Sequence, residues 1–188
     1  MGTNLNTTKK SKISYCQFVK NLPPNHVHKI YHDHYYGFAV NTDEELFERL
    51  VLEINQAGIS WTIILNKQNN FKKAYHQFNI QKVANYTQND INRLLNDKGI
   101  IRNKLKIEAA IYNAQQILAI QKEYGSFKSW LNHHHPKNIT EWTKLFKKKF
   151  KFMGTQIVNE FLMSTAYLPG AHTPECDIFK KYQKNIIR

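Results

Sequence analysis

The chain has 188 residues, 41% of them hydrophobic, enough for one full core, and a formal net charge of +13 from 27 Lys and Arg against 14 Asp and Glu. A surplus of that size points to a polyanionic partner, nucleic acid first, and no basic amphipathic helix free of core duties supports anionic lipid instead. No apolar run is long enough to span a bilayer, residues 1–14 lack a hydrophobic centre, and no GxGxxG, GxxxxGK[ST] or GxSxG string is present, so the expected setting is cytoplasmic, and nucleotide hydrolysis and serine-hydrolase chemistry lack support.

Residues 1–13 read as a disordered basic tail whose lysines add non-specific affinity for phosphate, ahead of a single helical domain over 14–188. Two cysteines in an intracellular chain read as buried thiols or metal ligands rather than a disulfide. Cys16 is followed by His26, His28, His32 and His34, and His172 precedes Cys176. A Cys2His2 set suits tetrahedral zinc with no open position for chemistry; spacing alone leaves this beside the alternative of two unrelated free thiols.

Residues 31–37 (YHDHYYG) and 53–61 (EINQAGISW) hold the densest chemistry. Leu46, Phe47, Leu50, Val51, Ile54 and Ala57 recur at helical spacing, with Thr42 or Asp43 to cap the start and Gly58 to end the helix. Glu44, Glu45, Glu48 and Arg49 fall on its solvent face. Glu53 falls at the edge of the buried stripe, where an ionised carboxylate loses water and needs a partner. The plain reading is a border glutamate paired with an arginine or lysine. The sharper reading is the floor of a pocket for a flat cationic ring, because Tyr31, Tyr35 and Tyr36 precede it and Trp61 follows at the end of the helix.

Residues 61–78 read as a helix or two with a basic outer face. Thr87 and Asp90 form a capping box for a helix carrying Ile91, Leu94 and Leu95, which Gly99 ends. Ile107, Ala110, Ile111, Ala114, Ile117 and Leu118 define a long second helix. The connection over 98–103 makes a helix-hairpin-helix candidate, since a tight glycine turn leaves amides at the next helix start to bind an anion. Arg102, Lys104 and Lys106 add charge there as phosphate or surface lysines and arginine, and an ordinary αα-hairpin with a basic turn fits the spacing as well. Residues 126–131 begin a short helix, and His133, His134 and His135 beside Pro136 read as loop histidines. Residues 140–150 form a helix with Trp142, Leu145 and Phe146 inward and Lys147, Lys148 and Lys149 on a solvated face. Ile157, Val158, Phe161, Leu162 and Ala166 mark a last core helix, on which Glu160 is given a surface role. No strand is predicted, so the fold class is all-α.

In order along the chain, YHD with a following aromatic and Gly37, then LE and QAGISW, KGIIRNKLKI (98–107), FKFMGT (150–155) and HTPEC (172–176) resemble the type I DNA-3-methyladenine glycosylases, a branch of the helix-hairpin-helix base-excision enzymes. The resemblance spans most of the chain after residue 15. It implies an all-α helix-hairpin-helix fold with a zinc clip joining the terminal segments, and monofunctional excision of 3-methyladenine by flipping the base into an aromatic and carboxylate pocket. Glu53 would be the catalytic residue and would accept hydrogen bonds from the adenine edge, with Tyr31, Tyr36, Trp61 and His28 around the base. Gly99, Ile100, Ile101, Arg102 and Lys104 would grip the DNA backbone. Structural Zn2+ would sit on Cys16, His32, His172 and Cys176; the gap from Cys16 to His32 exceeds the family's pattern, so His28 and His26 compete as second ligand. The implied partner is double-stranded DNA containing alkylated adenine, met by a monomer.

Two departures bear on substrate breadth. Tyr36 stands where the family usually has tryptophan, and His28 where a tyrosine is frequent. The competing readings are a zinc-stapled lesion-binding paralogue without excision activity, and a basic helical RNA-binding protein, which leaves Glu53 among aromatics unexplained.

Overall fold

α3 (Asp43–Gln56) packs against more of the other elements than any other helix does, in a computed structural model that describes residues 13–186. The tail expected over 1–13 lies, apart from Ile13, outside the described residues. Before α3 come α1 (Tyr15–Val19) and α2 (Val27–His34); after it come α4 (Trp61–Ala74), a 3-10 turn at His76–Phe78, α5 (Ile80–Ala84) and α6 (Gln88–Asn96). The chain continues as α7 (Lys104–Tyr124), α8 (Phe127–His134), α9 (Ile139–Lys149), α10 (Thr155–Ser164) and α11 (Asp177–Ile186). Among the described residues there is no strand, and no helix is long and apolar enough to cross a membrane.

Leu46, Phe47, Leu50, Val51 and Ile54 are buried along α3, which packs against α4, α7, α8 and α10. Two different side chains fix its start. Thr42 caps it, its hydroxyl accepting from the Glu45 amide at 3.3 Å. Asp43 instead reaches across to the start of α8, accepting from the amides of Phe127 at 2.7 Å and Lys128 at 3.0 Å and from Gln121 Nε2 at 2.7 Å. A carboxylate on free amides at a helix N-terminus is a strong, charge-assisted contact. Gly58 takes φ +79° just past the end of α3, as its position predicts.

Several expectations need correction. Helical spacing puts Glu48 and Arg49 of α3 in solvent, but both are buried. Glu48 accepts from Gln68 Nε2 at 2.7 Å and pairs with Lys72 at 3.3 Å, both on α4. Arg49 donates to Tyr31 Oη at 3.4 Å, to the Tyr35 carbonyl at 3.3 Å and to Glu45 at 3.2 Å. Elements on either side cover a face that an isolated helix would leave wet. Trp61 opens α4, where the helix expected over 61–78 begins. His133 and His134 lie on the last turn of α8, not in a loop. α1, α2, α5 and α11 have no counterpart in the sequence reading; α1 and α5, at five residues each, are too short to show an apolar period.

The Thr87–Asp90 capping box is present, and the turn over 98–103 joins α6 to α7. Lys67 Nζ holds the carbonyls of Lys98 at 2.8 Å and Gly99 at 3.1 Å. A Cβ at Gly99 would stand 2.8 Å from Asp97 Oδ1 and 3.1 Å from Asn70 Cβ, so a larger residue in this turn would have to push these side chains aside.

Candidate functional site

Five helices bring side chains to one cavity of about 350 Å³. α1 lends Tyr15 and Phe18; α2 and the turn after it lend His28, Tyr31 and Tyr36; α3 lends Glu53 and Gln56; Trp61 begins α4; Gln156 and Glu160 come from α10. Of the base-contact residues expected from sequence, Glu53, Tyr31, Tyr36, Trp61 and His28 all line this space. Tyr15, Phe18, Gln56 and Gln156 were not singled out. Tyr15 and Phe18 flank Cys16 at aromatic spacing, a signal that was available beside the metal-ligand pattern.

Glu53 sits on the side of α3 that faces the cavity and is 6% exposed. Among the described residues no hydrogen bond or ion pair engages its carboxylate. Burial first, and then the charge of Glu160, push its pKa up to about 8 against the opposing pull of Arg49. The expected border glutamate with a cationic partner is therefore not what forms: Arg49 turns to Glu45 and the tyrosines instead. The surface role given to Glu160 is also corrected, because α10 packs on α3 and turns this carboxylate into the same cavity, where Tyr36 Oη donates to its Oε2 at 3.2 Å.

The aromatic walls are mutually braced. Trp61 meets Tyr31 edge-on with ring centroids 5.2 Å apart, and Tyr15 meets Tyr36 edge-on at 5.4 Å. Burial raises the phenol pKa of Tyr15, Tyr31 and Tyr36, so these rings stay neutral. His28 is held at both nitrogens, by Tyr15 Oη at 3.0 Å on Nδ1 and by Thr62 Oγ1 at 2.8 Å on Nε2. Burial, and next the neighbouring His26, lower its pKa, keeping the ring neutral.

Behind this wall lie Cys16, His32, His172 and Cys176, whose ligand atoms are all within 4.8 Å of one another. These four could hold a metal ion. His32 Nε2 is 3.3 Å from Cys16 Sγ and 3.7 Å from Cys176 Sγ, and His172 Nδ1 is 3.2 Å from His32 Nε2. Each imidazole is oriented by its other nitrogen, His32 Nδ1 on Asp33 at 2.7 Å and His172 Nε2 on the Tyr36 carbonyl at 2.7 Å. Burial lowers both histidine pKa values, favouring the neutral form that ligates. The competing ligands are engaged elsewhere: His28 as described, and His26 as the cap of α2, its Nδ1 accepting from the His28 amide at 3.2 Å. Gly37, at φ +78°, is needed here, since a Cβ would stand 2.6 Å from Ala171 Cβ and 3.1 Å from the His172 ring.

The hairpin residues lie apart from the cavity lining. Gly99 and Ile100 spend their amides on Asp97, at 2.7 Å to its side chain and 3.4 Å to its carbonyl, and the Ile100 side chain is buried. The amides of Ile101 and Arg102 have no acceptor among the described residues. Arg102 and Lys104 are exposed beside them. Lys106, expected at the surface, is 6% exposed and donates to the carbonyls of Asn55 at 3.0 Å and Ala57 at 2.7 Å. The start of α7 faces the end of α3, so this ammonium group satisfies carbonyls that the helix leaves unpaired.

Comparison with known proteins places this geometry. The family model described as methyladenine glycosylase matches residues 22–180. The chain is 34% identical over 165 residues to DNA-3-methyladenine glycosylase 1 of Escherichia coli strain K12, covering 78% of this chain and 88% of the relative. It is 33% identical to the DNA-3-methyladenine glycosylase of Haemophilus influenzae, covering 78% of this chain and 89% of that one. The solved 3-methyladenine DNA glycosylase I of Staphylococcus aureus, described for its recognition of 3-methyladenine, superposes with a TM-score of 0.77 at 31% identity over 89% of this chain and 97% of that chain. Agreement over nearly the whole domain, in sequence and in backbone alike, leaves one conclusion: the chain belongs to the methyladenine glycosylase family.

Proposed function

We propose that this protein is a monofunctional base-excision glycosylase that hydrolyses the N-glycosidic bond of 3-methyladenine in alkylated double-stranded DNA. The observation that carries this reading is a buried carboxylate, Glu53, among aromatic rings in a cavity of about 350 Å³, within a chain of this family. A damaged nucleotide turned out of the duplex stacks its base on Trp61 and the tyrosines. The base of 3-methyladenine nucleotide is cationic, so Glu53 accepts hydrogen bonds from its edge and neutralises its charge. When the bond breaks, its electron pair goes to the base, which leaves neutral, and water supplies hydroxide to the sugar carbon and a proton to solvent. A negative group against the base stabilises substrate more than departing product, so Glu53 serves capture and selection, while the lesion's own lability drives cleavage.

Gly99, Ile100, Ile101, Arg102 and Lys104 form the backbone grip, with the open amides of Ile101 and Arg102 on a phosphate and the side chains adding sequence-independent charge. Structural zinc is the ion for Cys16, His32, His172 and Cys176. Bonds of about 2.3 Å to sulfur and 2.0 Å to nitrogen put tetrahedral ligand atoms roughly 3.3–3.8 Å apart, against 3.2 Å to 3.8 Å here for every pair that includes a histidine, with all four atoms within 4.8 Å. With four protein ligands no position is open for chemistry. The protein acts as a monomer in the cytoplasm.

The test is release of free base from methylated duplex DNA, with Glu53→Gln alongside. The expected outcome is 3-methyladenine from wild type, with far less from the variant at similar DNA affinity. DNA binding without release of any base would replace this reading with a lesion-binding protein.

A further inference from the structure

The chemistry above uses Glu53 and leaves a second carboxylate in the same cavity unassigned. Glu160 is half-buried on α10, one helical step beyond Gln156, and both line the space that Glu53 faces from α3. Its Oε2 accepts from Tyr36 Oη at 3.2 Å, so the tyrosine that forms one wall also holds this acid against the cavity. Two carboxylates around one partly desolvated space disfavour each other's ionised forms, and the charge of Glu160 is felt at Glu53. A flat cation between them relieves that repulsion; a neutral ring of the same shape does not. Stacking on Trp61 and the tyrosines does not make this distinction, because any purine has a face to stack.

We propose that Glu160, held by Tyr36, is a specificity-determining contact that makes the cavity select purines carrying a formal positive charge over neutral purines of the same shape. The proposal rests on the glycosylase reading above and deepens it by naming the chemical property that defines the substrate class. It also gives the hydroxyl of Tyr36 a purpose that a bare aromatic wall would lack.

Two probes separate charge from shape: 3,9-dimethyladeninium, which is cationic at neutral pH and carries a methyl group where the sugar would be, and neutral 9-methyladenine. Binding of each to the full chain is followed by titration calorimetry, with release of 3-methyladenine from methylated duplex measured in parallel. Wild type is expected to prefer the cation. Glu160→Gln, which keeps an acceptor for Tyr36, should cut that preference roughly tenfold by weakening the cation alone. Tyr36→Phe, which keeps the charge but unties it, should cut the preference less. If wild type releases 3-methyladenine and Glu160→Gln has an unchanged preference, the assignment to Glu160 is overturned and the glycosylase reading stands. If wild type binds neither probe and releases no base, both fall together.

Discussion

Tyr15 and Cys16 are neighbours in sequence that face two different sites: the Tyr15 hydroxyl meets His28 Nδ1 at 3.0 Å on the cavity wall, while Cys16 Sγ meets His32 Nε2 at 3.3 Å in the candidate metal cluster. The Tyr36 carbonyl repeats the connection from the other side, accepting from His172. The cluster that could hold a metal and the pocket therefore share a wall. Removing the ion with a chelator, or Cys16→Ser, should lower the melting temperature by roughly 10 °C or more. It should also weaken 3-methyladenine binding, as read by thermal melts and calorimetry on the same samples. Unchanged base affinity in the metal-free protein would uncouple the two sites.

Gly37→Ala tests the same wall without replacing a ligand. Both its positive φ and the 2.6 Å approach of a new Cβ to Ala171 oppose the substitution. A loss of about 2 kcal/mol or more in stability is expected, with weaker retention of metal during dialysis because the His172 ring must shift.

Glu53 makes stability depend on pH in a defined direction. Its folded pKa, about 8, lies above the ordinary 4.5. The folded state thus favours the protonated acid: its contribution is fully present below about pH 4.5, declines as pH rises, and is lost above about pH 8. Glu53→Gln should be more stable than wild type at pH 9, by on the order of a few kcal/mol, with the gap closing toward pH 4.5. Denaturant melts across that range check it.

The same ionisation governs capture. An empty pocket holding protonated Glu53 must release that proton to receive a cationic base, so kcat/KM on methylated DNA should rise about tenfold per pH unit until near pH 8. Glu53→Gln should lack this limb in single-turnover profiles.

Lys104 and Lys106, two residues apart, should behave oppositely. Lys104→Met should weaken DNA binding uniformly across sequences and reduce the salt slope by roughly one. Lys106→Met should leave the salt slope alone, cost about 1–3 kcal/mol in stability, and slow excision by loosening the carbonyls of Asn55 and Ala57. Filter-binding salt series and urea melts distinguish them.

That pair also marks where the sequence was legible. α3, α7 and α10 show their apolar period because their large apolar residues line up along the core, and the capping box at Thr87 is a local signal. The pocket residues Glu53, Tyr31, Tyr36 and Trp61 stand out because an acid beside an apolar stripe and a run of rings are unusual in composition. Lys106, Glu48 and Arg49 were misplaced because helical spacing shows which side chains share a face, not whether another helix covers it. Glu160 was misread for the same reason: its inward turn depends on α10 packing on α3, a contact between distant parts of the chain.

α3 is tethered at both ends, by Asp43 to the amides that begin α8 and by Lys106 to the carbonyls that close its last turn. A rod pinned this way neither slides nor turns, so Glu53 stays at a fixed depth and cannot travel toward a stacked base. The nucleotide has to make the whole journey, and the deformation falls on the DNA rather than on the protein. Duplex sites whose stacking is already weak are then the ones sampled most often.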